Sequence, residues 1–109
     1  MSESFSVIYS PEAVNDLCEI YTYIANKLLV PKTAEGQINR IRDIIRSLDF
    51  MPLRYPIVDW EPWRSLEMHK VPIDNFIVFY IVSNEKYLVT IVRILYGGRD
   101  IENIVFNEK

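Results

Sequence analysis

The sequence predicts an α+β domain, with an N-terminal strand, a two-helix hairpin and then a three-stranded antiparallel meander, both helices packed on one face of a single sheet. Three observations carry this. Apolar residues recur at helical spacing in two stretches between residues 11 and 48, prolines crowd the chain between 51 and 63, and three β-rich segments separated by turn residues close it.

Each element has its own local cause. Phe5 to Tyr9 reads as a short strand, and Ser10-Pro11-Glu12 has the form of a helix start, with serine as cap and proline at the first helical position. Val14, Leu17, Cys18, Tyr21, Ile24, Ala25 and Leu28 then recur at spacings of three and four, which makes them the expected core face and puts Asp16 and Glu19 elsewhere. Leu29-Val30-Pro31 breaks the pattern. A second helix is expected from near Lys32, with Ala34, Ile38, Ile41, Ile45 and Leu48 inward and Asn39, Arg42, Asp43 and Arg46 outward. Pro52, Pro56 and Pro62 exclude a helix or a central strand, so Met51 to Trp63 should be a long surface loop. The expected strands are Arg64 to Val71, Phe76 to Ser83 and Tyr87 to Tyr96, and the sheet face away from the helices is expected to be free.

At 109 residues the chain is one expected domain, 1–109, which has room for a core but not for an enclosed ligand chamber as well. Fourteen aromatic residues set it apart from disordered chains. A single cysteine, Cys18, excludes an internal disulfide, and the N-terminus lacks a secretory pattern, so a cytoplasmic location is expected. The longest apolar run, Phe76 to Val82, is far short of the ~20 residues of a membrane span. The net charge of −3 discourages nonspecific nucleic-acid binding, yet residues 27–70 hold eight of the twelve bases. One histidine and one cysteine cannot make a usual zinc site, and no phosphate loop, dinucleotide fingerprint or nucleophile elbow is present, so no metal and no cofactor is expected.

The best candidate site is the end of the last strand, Val92-Arg93-Ile94-Leu95-Tyr96-Gly97-Gly98-Arg99-Asp100. Arginine presents a donor fork that suits phosphate, and paired glycines let backbone approach a ligand. The alternative is structural, with Arg99 and Asp100 capping the strand and the glycines making a chain reversal. Arg64 opens the expected second strand beside Trp63, either toward a ligand or into a structural salt bridge. Strand alternation puts His69 with Glu67 on the polar face, as a proton-transfer pair or as solvated surface. Trp60 and Trp63 could stack on bases while Arg54 holds a phosphate, or anchor the loop onto the core. Arg42 and Arg46 stand one turn apart, as a nucleic-acid contact or a solvated helix face. Cys18 is read as packing.

Tyr9-Ser10-Pro11-Glu12-Ala13, the helical hairpin, the proline-bearing loop, Arg64-x-Leu66 and Arg93 to Ile101 together resemble the RelE/ParE superfamily of toxins from type II toxin–antitoxin modules, from Val7 to about Ile104. The resemblance implies a small toxin silenced by a cognate antitoxin segment wrapped around it. RelE-like members cut messenger RNA in the ribosomal A site, and ParE-like members poison DNA gyrase without being nucleases. The expectation is a ribosome-dependent mRNA endonuclease acting on ribosome-bound message, the alternatives being a gyrase inhibitor or an inactive antitoxin-binding co-repressor. For the nuclease, the resemblance implies that Arg64 and Arg99 stabilise the crowded phosphate, that Tyr96 moves the proton and that His69 is the substitute base. Arg93, Arg54, Arg46 and Arg42 would bind substrate. Losing one such donor costs about 3 kcal/mol, so Arg64→Ala should slow cutting roughly a hundredfold. Gly98 stands where many members carry arginine.

Overall fold

The computed structural model describes residues 4–27, 29–98 and 101. Ser6–Tyr9 form strand β1, and Ser10 ends the strand and starts a helix at once. Its N–H donates to the Ile91 carbonyl at 2.8 Å, its hydroxyl donates to the Val92 carbonyl at 2.8 Å, and the same oxygen accepts from the Ala13 N–H at 3.0 Å. One serine therefore caps α1 (Pro11–Thr22) and ties it to the sheet, with Pro11 in the first turn as expected. A π-helical turn, Tyr23–Lys27, follows, and Leu29 at a φ of 57° helps turn the chain into α2 (Pro31–Arg46).

Two 3-10 turns, Ser47–Asp49 and Pro52–Arg54, lead into the loop. The chain then forms β2 (His69–Ile73), β3 (Phe76–Ser83) and β4 (Leu88–Tyr96). These three make the expected antiparallel meander, and the sheet order is β1-β4-β3-β2. β1 lies parallel to β4, Ser6 beside Leu88 and Tyr9 beside Ile91, so the sheet is mixed. Parallel neighbours require a long crossover, and here everything between β1 and β4 supplies it.

The main core lies between helices and sheet, where Ala13, Ile41, Ile45 and Leu48 meet Val71, Val78, Tyr80, Val89, Ile91 and Ile94. Ile91 and Ile94 share this core although three residues apart, because β4 bulges: Phe79 pairs with Arg93 and Tyr80 with Ile91, leaving Val92 as the extra residue.

The structure corrects three expectations. First, the far face of the sheet is not free. Val58, Trp63 and Met68 of the loop pack there on Phe79 and Leu95, with Trp60 stacked on Trp63 at 5.0 Å between ring centres. Second, β2 starts at His69, not at Arg64. The chain turns from Trp60 to Glu67, the Met68 N–H donates to the Trp63 carbonyl at 3.0 Å, and β2 pairs with β3 only from Tyr80 back to Phe76. Third, the inward face of α1 carries Ala13, Asp16, Leu17, Ile20 and, past its end, Ile24, whereas Val14, Cys18 and Tyr21 are exposed. Leu28 lies outside the described residues. α2 keeps its expected stripe, with Gln37 buried beside it.

Candidate functional site

β1 stops at Tyr9 while β4 runs on to Tyr96, which leaves polar backbone groups along the outer edge of β4 without a strand to pair with. α1 supplies the partners. Ser10 takes the Val92 carbonyl, and the buried Asp16 carboxylate accepts from the Ile94 N–H at 2.9 Å. The same carboxylate accepts from Arg93 through Nε at 2.8 Å and Nη2 at 3.0 Å, a fork-to-fork pair whose side chains are only 12% and 6% exposed. Arg93, expected at a substrate, is thus engaged in fastening α1 to the sheet. Asp16, which hydrophobic periodicity sends to the surface, is its buried partner.

At the end of β4, Tyr96 is half exposed and its ring meets Phe76 edge-on at 5.9 Å. A Cβ at position 98 would lie 2.6 Å from that ring, so glycine there lets Tyr96 lie across the backbone. The Gly97 N–H donates to the Asn75 carbonyl at 2.8 Å. Asp74, beside it at a φ of 55°, accepts from Arg40 Nε at 2.7 Å and Gln37 Nε2 at 3.0 Å. Those two hydrogen bonds, from Arg40 first, lower the Asp74 pKa. The strand end is thereby tied through the β2–β3 turn to α2. Arg99 and Asp100 lie outside the described residues.

His69 is not on a solvated face. It is 5% exposed, stacks on Tyr80 with ring centres 5.1 Å apart, and its Nδ1 lies 2.7 Å from the Tyr55 carbonyl. Tyr80 in turn donates to the Pro52 carbonyl at 2.6 Å, and burial raises its pKa. His69 pairs with Tyr80 and Tyr96 with Phe76. The imidazole and the Tyr96 phenol therefore start from backbone positions roughly 13 Å apart along the strands, at about 3.3 Å per residue, with β3 between them. The structure does not bring these two together. Arg64 is exposed in the turn after Trp63, outside any strand. Arg54 donates to the Phe50 carbonyl, to the Met51 carbonyl at 3.0 Å and to the Ser47 hydroxyl at 3.0 Å, and lies over the Tyr55 ring. It clamps the loop rather than standing free.

Arg42 and Arg46 are brought together, as their spacing implies, beside Tyr9 of β1. They line a pocket of about 180 Å³ with Val7 and Ile45. Burial raises the Tyr9 pKa, opposed by the two guanidiniums and by a hydrogen bond with Arg42. The same Tyr9 and Arg42 border a larger groove of about 430 Å³ between α1 and α2, lined by Val14, Leu17, Cys18, Tyr21 and Ile38. Val14, Cys18 and Tyr21, expected in the core, form one wall of this groove, while Leu17, Ile24 and Ala25 of the same expected stripe pack inward. Among the described residues no group of three or more His, Cys, Asp or Glu side chains is placed to hold a metal ion, and no helix is long and apolar enough to cross a membrane.

A small mixed sheet carrying a helical hairpin on one face and a tryptophan-anchored loop on the other defines the class, an α+β domain. Residues 7–101 match the family described as ParE toxin of type II toxin–antitoxin system, parDE, and the chain belongs to that family. Several solved structures share the fold. The chromosomal ParDE system of P. aeruginosa superposes with a TM-score of 0.69 at 19% identity, over 85% of this chain and 96% of that one. The RelBE2 toxin–antitoxin complex of Mycobacterium tuberculosis gives 0.61 at 16% identity, over 86% and 92%. The archaeal RelE–RelB complex of Pyrococcus horikoshii OT3 gives 0.60 at 16% identity, over 88% and 98%. No curated protein matches at a significant level.

Proposed function

We propose that this toxin acts as a ParE-like inhibitor of DNA gyrase rather than as a nuclease, and that a cognate antitoxin silences it. One observation carries the choice between the two activities. The only histidine of the chain, the natural general base near neutral pH, is buried against Tyr80 and turned to the Tyr55 carbonyl. The engagement of Arg93 with Asp16 and of Arg54 with the loop carbonyls favours the same reading, since a ribose-phosphate transfer needs cations gathered around one phosphate. The antitoxin partner is supported by family membership and by the toxin–antitoxin complexes that share the fold.

The test uses purified toxin with gyrase, relaxed plasmid and ATP, and in parallel a reconstituted translation reaction. Supercoiling is expected to fall while ribosome-bound message stays intact. Cut message that disappears in Arg64→Ala, with supercoiling unaffected, would instead establish the nuclease.

A further inference from the structure

Between α2 and the tryptophan-anchored loop the chain makes an apolar turn that is held fixed and yet left in solvent. Phe50, Met51 and Leu53 are 49%, 60% and 54% exposed, while Pro52 among them is buried. Large apolar residues exposed singly are ordinary, but three at one turn concentrate apolar surface in one place. The backbone beneath them is bonded at each carbonyl from Asp49 to Pro52. Asp49 accepts from the Phe5 N–H at 2.8 Å, Phe50 and Met51 accept from Arg54, and Pro52 accepts from the Tyr80 hydroxyl at 2.6 Å. Where the turn ends, the Tyr55 carbonyl lies 2.7 Å from Nδ1 of His69. Met51 itself takes a φ of 49° and a ψ of 55°, left-handed backbone that suits glycine or asparagine. A methionine keeps it only where its surroundings over-determine it, and such strain gathers at sites of recognition. Here strain and clamps serve no burial, since the side chains they orient remain exposed.

We infer that Phe50, Met51 and Leu53 form a preorganised contact that enters an apolar recess on gyrase. The inference rests on the gyrase reading above and names the surface through which it acts. The chemistry of the turn selects its occupant. Nucleic acid is held by free cations, and the one cation of residues 50–54, Arg54, is spent on the Phe50 and Met51 carbonyls and the Ser47 hydroxyl. A second copy of the chain fits no better, because a stable homodimer buries about 800 Å² on each partner, more than three half-exposed side chains supply. A larger protein can close around so small an apolar anchor and add contacts beyond it. The fixed backbone then lowers the entropic cost of binding, and methionine adapts to the recess wall.

Met51→Asn combined with Leu53→Gln removes the apolar contact and keeps the turn, because asparagine tolerates left-handed backbone. Full-length toxin is titrated into supercoiling reactions containing gyrase, relaxed plasmid and ATP, and its Kd for gyrase is measured by calorimetry. The double variant should need about a hundredfold more toxin for half inhibition, as when anchor side chains are lost from the centre of an interface. Its urea midpoint should stay at the wild-type value and its antitoxin Kd within about twofold, since these residues line neither pocket beside Tyr9. Arg54→Gln keeps all three apolar side chains but frees the Phe50 and Met51 carbonyls. It should weaken inhibition about fivefold, with a less favourable binding entropy.

If wild-type toxin inhibits gyrase and the double variant inhibits equally well, the inference fails while the gyrase reading stands. If wild-type toxin leaves supercoiling untouched, the gyrase reading falls and takes the inference with it. Antitoxin affinity lost in step with inhibition would assign the turn to the antitoxin, and a toxin dimer abolished by the double variant would assign it to a second copy. Either result overturns the inference. Wild-type inhibition by Arg54→Gln would refute the preorganisation, because the clamps would then have no part in recognition.

Discussion

Asp16 does the work of a missing strand. Its carboxylate holds Arg93 and the Ile94 N–H where β1 has already ended, so one acidic side chain joins α1 to the exposed edge of β4. Removing one member of a buried, hydrogen-bonded ion pair leaves the other charge unmet, at a cost of about 3–5 kcal/mol. Asp16→Ala should therefore lower the urea midpoint far more than Asp43→Ala, whose surface pair with Arg46 contributes at most about 1 kcal/mol. Equal midpoints for the two variants would refute the anchoring role. Asp74 gives a pH signature. Its folded pKa is lowered by Arg40 and Gln37, so its stabilising contribution is present above the ordinary aspartate pKa of about 3.9 and is lost as pH falls through the lower folded value. In Asp74→Asn that part of the acid limb should vanish, read as melting temperature against pH between about 5 and 2.

At the level of elements, much of this architecture was legible in the sequence. Ser10-Pro11 announced α1, the stripe Ala34 to Leu48 gave the inward face of α2, and Phe76–Ser83 was read with its observed bounds. The rotation of α1 was not legible, because periodicity assigns charge to water and oil to the core. Here Asp16 is buried by a salt bridge, while Val14, Cys18 and Tyr21 are left to line a groove. The parallel placement of β1 depends on long-range pairing that no local pattern encodes. The site was read least well. The proximity of Arg42 and Arg46 was legible in their spacing, but alternation could not foresee that a strand starting at His69 would bury its first residue against Tyr80, on the helix face of the sheet. The three prolines marked the loop, yet not the face it covers. Trp63, 7% exposed and packed on Phe79 at 4.8 Å between ring centres, fastens it. Trp63→Ala should cost about 3–5 kcal/mol in urea unfolding. It should also expose the Val58 amide, which donates to the Met68 carbonyl, and the Met68 amide, which donates to the Trp63 carbonyl, to faster hydrogen exchange. An unchanged exchange rate there would show that the tryptophan does not hold the loop.

For the molecule as a whole, the sheet separates two jobs. Alternate residues of β3 serve opposite cores, Val78 and Tyr80 under the helices and Phe79 under the loop, so the two layers share one central strand, while the helical layer carries the groove and its arginines. Stability and partner recognition should then respond to different substitutions. Tyr21 is 39% exposed and lines the groove, so Tyr21→Ala should weaken antitoxin binding about tenfold or more. Its cost in unfolding free energy should stay within about 0.5 kcal/mol, as for surface positions generally. Trp63→Ala should do the reverse. It takes several kcal/mol from a total that for small domains is about 5–15, yet leaves a folded majority at 25 °C, whose antitoxin affinity should match wild type within about twofold. Calorimetric titration and urea unfolding on the same preparations measure the two quantities side by side. Should Trp63→Ala lose affinity as steeply as stability, the loop face takes part in recognition and the division of labour across the sheet is wrong. If instead Tyr21→Ala destabilises the fold by several kcal/mol, the exposed stripe of α1 belongs to the core after all.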